Sequence, residues 1–73
     1  MTNTIAEFIR KEIDKMNTSI KTFEDHLESH EQITGLTDEV DRMYSARIKG
    51  RIDTLQMMRD MYEMMLIRYV TEE

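Results

Sequence analysis

The sequence predicts an all-α protein: an antiparallel two-helix hairpin, two copies of which associate as a homodimer into a four-helix bundle. Three observations lead to this prediction. The chain has 73 residues, which we expect to form a single helical-hairpin domain. It contains no proline and only two glycines, so helix-breaking residues are scarce. Its apolar residues recur every three or four positions, which is the spacing of an amphipathic helix.

The first helix is predicted over residues 4–31. Thr4 is the expected N-cap, and Glu7 three residues later completes a capping box, in which the two side chains satisfy backbone N–H groups of the first turn. The apolar residues at helical spacing are Ile5, Ile9, Ile13, Met16, Ile20, Phe23 and Leu27. Because these residues span only about 100° of the helix surface, the first helix has one apolar side.

The clearest break in the chain is Gly35. We therefore predict the turn over residues 32–37 and the second helix over residues 38–70. A turn this short returns the second helix antiparallel to the first. With its centre near residues 34 and 35, residue i is expected to lie opposite residue 69 − i.

The second helix is apolar over two adjoining sectors. The sector expected to face the first helix contains Val40, Tyr44, Ile48, Ile52, Leu55, Met58, Tyr62, Leu66 and Tyr69. The other sector, which we call the outer face, contains Met43, Ala46, Gly50, Met57, Met61 and Met64. The polar arc is predicted to contain Gln56, Arg59, Asp60 and Glu63. Beyond residue 55 the apolar arc is about 200° wide, about twice the minimum that faces one core.

The outer face is predicted to be a protein-binding surface, for a second copy or for a partner. Methionine side chains are flexible and recur on adaptable binding surfaces. Ala46 and Gly50 would let another helix approach closely, and this close packing is the expected reason for a glycine inside a helix. A small core supplies only about 3 to 5 kcal/mol, so association would also stabilise the fold. A two-fold axis would cover the same face twice.

Charge is distributed unevenly along the chain, whose net charge is −5. One cluster, the acidic tip, is free of lysine and arginine and contains Glu24, Asp25, Glu28, Glu31, Asp38, Glu39 and Asp41. It is followed by a short basic strip of Arg42, Arg47, Lys49 and Arg51. The helix pairing places Arg47 within reach of Glu24 or Asp25. The acidic tip suits a partner with a basic surface, whereas the net charge disfavours nucleic acid and anionic membranes.

No constellation predicts catalysis, a metal or another cofactor. His26 and His30 are spaced i, i+4, as metal-binding pairs are, but the sequence fixes no carboxylate ligand beside them. The pair Glu28 and Glu31 resembles the first Glu-x-x-Glu element of all-helical nucleotide pyrophosphohydrolases, and the second element is missing. A thin helical rod also offers no evident substrate pocket.

The expected function is that of a small, acidic, non-enzymatic interaction module in the cytoplasm: a stoichiometric regulator or inhibitor of a larger protein, including one of phage or plasmid type. Its size and layout resemble those of small plasmid regulators that dimerise as four-helix bundles, without a shared motif. One alternative is a structural or assembly subunit docked permanently in a larger complex. A weaker alternative is a regulator that contacts nucleic acid through Arg42 to Arg51.

Overall fold

The computed structural model describes residues 4–72, with side chains as far as residue 70, and contains two helices that pack against each other. Helix α1 comprises Thr4–Thr34 and helix α2 comprises Glu39–Glu72. The hairpin measures 55 × 15 × 11 Å, and its radius of gyration is 16.6 Å. A compact chain of this length would have a radius of gyration of about 11 Å. The protein is therefore a thin rod with little interior.

The connection between the helices comprises residues 35–38, so it is shorter than the predicted turn over residues 32–37 and is centred later in the sequence. α1 continues to Thr34, where the N–H of Gly35 donates to the carbonyl of Glu31 at 2.8 Å. Gly35 has a φ of 63° and Leu36 a φ of 54°, a left-handed ending typical of helix C-termini. Asp38 then caps α2, accepting a hydrogen bond from the N–H of Val40 at 2.8 Å. Only Gly35 breaks the helix, so the residues before it remain helical.

α1 buries one stripe along its length. The buried residues are Ala6, Ile9, Ile13, Met16 and Ile20. Four of these five belong to the predicted apolar stripe, while the small Ala6 was not assigned to it. Phe23 and Leu27 complete the stripe near the turn as partly buried residues. Ile5, at the start of the helix, is half exposed and does not join the core.

α2 contributes fewer residues to the core, and they lie in its first half. Ile48 and Ile52 pack around Ile20 of α1 to form the main buried cluster, with Leu55 partly buried beside them. Ser45 is also buried, which its polar side chain did not predict. From residue 55 to residue 70 every described side chain of α2 is half-buried or exposed.

The predicted core sector of α2 is rotated relative to the observed one. Val40 and Met58 were expected to face α1, and both are exposed. Tyr44 does face α1, where its ring contacts His26 and His30, although it is 39% exposed. Gln56 and Arg59 were expected on an outward polar arc, yet they are half-buried. The guanidinium of Arg59 donates to the side-chain oxygen of Asn17 on α1 at 3.2 Å. Because α2 is apolar over so wide an arc, its sequence does not define which part meets α1.

The register between the helices also differs from the predicted one. Arg51 lies over the ring of Phe23, with 6.0 Å from its guanidinium carbon to the ring centroid, and the rings of His30 and Tyr44 are 4.7 Å apart. These contacts place residue i opposite about residue 74 − i, because the connection over residues 35–38 is centred about two residues later than the predicted centre near residues 34 and 35. The shift from 69 − i to 74 − i is five residues, or about 1.4 helical turns.

The close packing predicted around Gly50 does not occur within the hairpin. α2 is continuous through this residue, and a Cβ atom added there would have no neighbour within 4 Å. Within the described residues, neither helix has a stretch long and apolar enough to cross a membrane.

Candidate interaction surfaces

The structure leaves the outer face uncovered. It lies on the side of α2 directed away from α1, and all six of its residues are exposed. The four methionines expose the largest part of their side chains: Met43 66%, Met57 68%, Met61 64% and Met64 72%. The face runs over about 30 Å from Met43 to Met64, at a rise of 1.5 Å per residue.

Two further apolar residues of α2 are exposed outside the outer face. Val40 is 70% exposed and Ile67 is 67% exposed, and their spacing of 27 residues places them on opposite sides of the helix. Val40 was predicted to face α1, and Ile67 was not assigned to a face. A seven-residue repeat was the signal that could have marked the outer face, since Met43, Gly50, Met57 and Met64 follow one another at that interval.

The surface beside the outer face is grooved. A shallow groove of about 440 Å³ is lined by Phe23, Arg47, Gly50, Arg51, Thr54 and Leu55. A second of about 230 Å³ is lined by Met58, Met61, Tyr62 and Met65. Open grooves lined by flexible side chains are suited to receive side chains from another helix, in the way that knobs enter holes in helix packing.

The exposed area of the chain is large for its mass. A compact protein of 8.8 kDa exposes about 4,800 Å², whereas this chain exposes 5728 Å². The excess, roughly 900 Å², is about the area that one partner contributes to a protein–protein interface of standard size.

The acidic tip is partly neutralised by the hairpin itself. Glu31 is half-buried, and its carboxylate accepts a hydrogen bond from the buried hydroxyl of Ser45 at 2.8 Å. The ammonium of Lys49 lies 3.4 Å from the same oxygen. The hydrogen bond from Ser45, more than the attraction of Lys49, holds the pKa of Glu31 below its ordinary value, against a smaller opposing effect of desolvation.

Most other acids of the tip also have partners. Asp38 caps α2, Asp41 lies 3.4 Å from His30, and Asp25 lies 4.0 Å from Lys21. Glu28 accepts a long hydrogen bond, 3.4 Å, from the side chain of Gln32. Three exposed acids of the tip form no ion pair within the described residues: Glu24, Glu28 and Glu39.

The two histidines of α1 belong to the contact with α2. Nε2 of His26 and the hydroxyl of Tyr44 are 2.6 Å apart, and Nε2 of His30 faces Asp41. The rings of both histidines lie against the ring of Tyr44. Among residues 4–72 no group of three or more His, Asp or Glu side chains is arranged to hold a metal ion.

The basic strip is divided among separate contacts. Arg42 donates to the carbonyls of Leu36 and Thr37 at 3.0 Å each, so it braces the connection. Lys49 pairs with Glu31 across the hairpin. Arg47 forms no ion pair with Glu24 or Asp25, contrary to the prediction, because the register between the helices is shifted.

The chain matches no protein-family model, no curated protein and no solved structure.

Proposed function

We propose that this protein is a non-enzymatic interaction module that associates with itself through the outer face and presents its acidic tip to a larger protein. The observation that carries this proposal is the exposure of four methionines along one side of α2. A contiguous apolar surface of several hundred Å² is uncommon on a protein that stays monomeric, because its contact with water is unfavourable.

Self-association would cover this surface. The partner it requires is a second copy of the same chain, which is present wherever the protein is made. A homodimer formed through the outer face brings four helices together, and its two-fold axis covers both copies of the face at once. Burying the methionines of both copies also adds apolar contact to a rod that has little core of its own.

The acidic tip is the proposed contact to a larger protein. Glu24, Glu28 and Glu39 are exposed, and they lie at the end of the rod, away from Met57, Met61 and Met64. A basic surface on the partner would match them in charge and accelerate association. A regulator or inhibitor that works by covering such a surface needs no catalytic group of its own.

The test is the molar mass in solution, measured by sedimentation equilibrium over a wide concentration range. We expect a dimer for the wild-type chain and a monomer for Met61→Glu, because the substitution would bury an unpaired charge in the interface. Ser29→Glu is the matched control, since it adds the same charge at an exposed position of α1 and should remain dimeric.

A well-folded monomer for the wild-type chain would contradict self-association. The outer face would then be a docking surface for a different protein, as in an assembly subunit. For the acidic tip, Glu24→Lys combined with Glu28→Lys should abolish co-purification of a larger protein while the helical content and the molar mass stay unchanged. Retained co-purification would contradict this part of the proposal.

A further inference from the structure

The outer face carries a seven-residue repeat with one empty position. Met43, Gly50, Met57 and Met64 are spaced by seven, the interval at which side chains form a continuous seam for another helix. Three of the four positions bear a long flexible side chain, and the fourth, Gly50, bears none. Since nothing lies within 4 Å of a Cβ atom built at Gly50, the seam has an open hole there.

We infer that α2 pairs with α2 of a second copy in antiparallel orientation, with Met57 of one copy packed over Gly50 of the other. This inference rests on the proposed self-association and specifies its geometry. The two-fold axis lies near residues 53 and 54, so that Met43 of each copy lies beside Met64 of the other. Six methionines and two glycine holes then form symmetric pairs: Met57 over Gly50 twice, and Met43 beside Met64 twice.

The parallel orientation fills the seam less well. In a parallel pair, Gly50 faces Gly50 of the second copy and the two holes combine into a void. A void lined by apolar groups lowers stability, because the lining atoms lose dispersion contacts. In the antiparallel pair each hole receives a methionine, a side chain that adapts readily to irregular space.

Charge also favours the antiparallel pair. Asp53 and Asp60 are exposed beside the seam, and a parallel pair would set each of them against its own copy. Like charges at such distances repel. Antiparallel pairing moves the two Asp60 side chains apart and brings each near Lys49 of the second copy, an exposed lysine whose other neighbour is Glu31. The two Asp53 side chains, close to the axis, remain the one unfavourable pair.

Because the outer face lies opposite the α1 contact, the dimer has the two α2 helices in the middle and the two α1 helices outside. The excess exposed area of roughly 900 Å² per chain is of the size that one side of a stable interface buries. This order of helices also leaves the acidic tips at opposite ends of the assembly, each accessible to a separate partner.

The test is disulfide formation between introduced cysteines. The chain has no cysteine of its own, so any disulfide must involve the introduced residues. Met43→Cys and Met64→Cys replace exposed side chains and leave the core of the hairpin untouched. When the two variants are mixed and oxidised, we expect a disulfide between them and little or none within either variant alone. Positions 43 and 64 lie about 30 Å apart along one helix, whereas a disulfide needs Cα atoms within about 7 Å.

Each result has a distinct meaning. Disulfides within each single variant and none in the mixture would establish a parallel pair and overturn the inference. A dimer by sedimentation without any of these disulfides would place the interface elsewhere, which also overturns it while self-association stands. A monomer would overturn the inference together with the proposed function. Lys11→Cys, at an exposed position of α1, mixed with Met64→Cys gives the background of random cross-linking.

A second measurement uses charge alone. Asp60→Asn should weaken the antiparallel dimer roughly twofold to fivefold, because each interface loses the attraction between Asp60 and Lys49 of the second copy. In a parallel dimer the same substitution would relieve a repulsion and tighten association. A dissociation constant that decreases on this substitution therefore contradicts the inference.

Discussion

The two halves of α2 meet α1 in different ways. In the first half, Ile48 and Ile52 are buried against α1 and Ser45, Lys49 and Tyr44 make polar contacts across the hairpin. In the second half no described side chain is fully buried, although apolar residues are more frequent there. The difference shows that a helix segment with more apolar residues does not bury more of them when its apolar arc is wider than the neighbouring helix can cover. The first half of α2 contributes its own buried residues to the core, and the second half leaves most of its apolar side chains exposed.

The largest predicted effect is the loss of the core in the first half of α2. Ile48→Ala should lower the free energy of unfolding by about 2 to 5 kcal/mol, because it removes buried methyl groups and leaves a cavity. Leu66→Ala, in the half-buried second half, should cost about half as much, since less area leaves water at that position. Urea denaturation of both variants at one protein concentration measures the difference. Equal costs would mean that the two halves are packed alike.

The two glycines should respond to alanine in opposite directions. Gly35→Ala should destabilise the hairpin by about 1 to 2 kcal/mol, because its φ of 63° is unfavourable for a residue with a Cβ atom. Gly50→Ala should stabilise the monomeric hairpin by up to about 1 kcal/mol, since α2 is helical there and the space is open.

Both glycine variants are best compared in the Met61→Glu background, where self-association does not contribute to stability. Thermal unfolding followed by circular dichroism gives the sign of each effect. A loss of stability on Gly50→Ala in this background would mean that the space over Gly50 is occupied within the hairpin itself.

A smaller effect is expected at the polar contact near the turn. Ser45→Ala should cost about 1 kcal/mol, because Glu31 loses its hydrogen bond while the buried position becomes apolar. Ser29→Ala, at an exposed site of α1, should change stability by less than about 0.5 kcal/mol. If denaturation curves give the same cost for both variants, the Ser45 contact does not stabilise the first half of α2.

The smallest predicted effect is a pH dependence that arises from Glu31. Its pKa is lower in the folded chain than in the unfolded chain, so the ionised carboxylate stabilises the fold. This contribution is complete above the ordinary pKa of 4.5 and is lost as the pH falls through the lowered pKa of the folded state. The difference in unfolding free energy between wild type and Glu31→Gln should therefore shrink on acidification from pH 7 to pH 3. A difference that is constant over this range would contradict the role of Ser45 and Lys49.

The sequence predicted α1 better than α2 for a physical reason. The spacing of Ile9, Ile13, Met16 and Ile20 defines one narrow apolar side, and all four are buried. The second helix has apolar residues on more than half of its circumference, so the same rule does not single out the side that meets α1. Val40 and Met58 were assigned to the core and are exposed, while Ser45 is buried because Glu31 accepts its hydrogen bond.

The candidate interface was predictable in part. The surplus of methionines on α2 predicted the outer face, and its four methionines are exposed, whereas the exposure of Val40 was not predicted. The acidic tip was predicted from a stretch of the sequence that contains acidic residues and no lysine or arginine. Its pairing with Ser45, Lys49 and His30 depended on which residues the hairpin brings together.

The sequence by itself determined that the chain forms two long helices around Gly35 and that α1 has a single apolar side, because helix spacing and helix-breaking residues act locally. The tertiary structure decided the register between the helices, the side of α2 that meets α1, and hence which methionines remain exposed. These properties depend on where α1 ends and on polar contacts between residues far apart in sequence, such as Arg59 with Asn17. Local spacing carries no information about such pairs, since each becomes favourable only when both helices are in place.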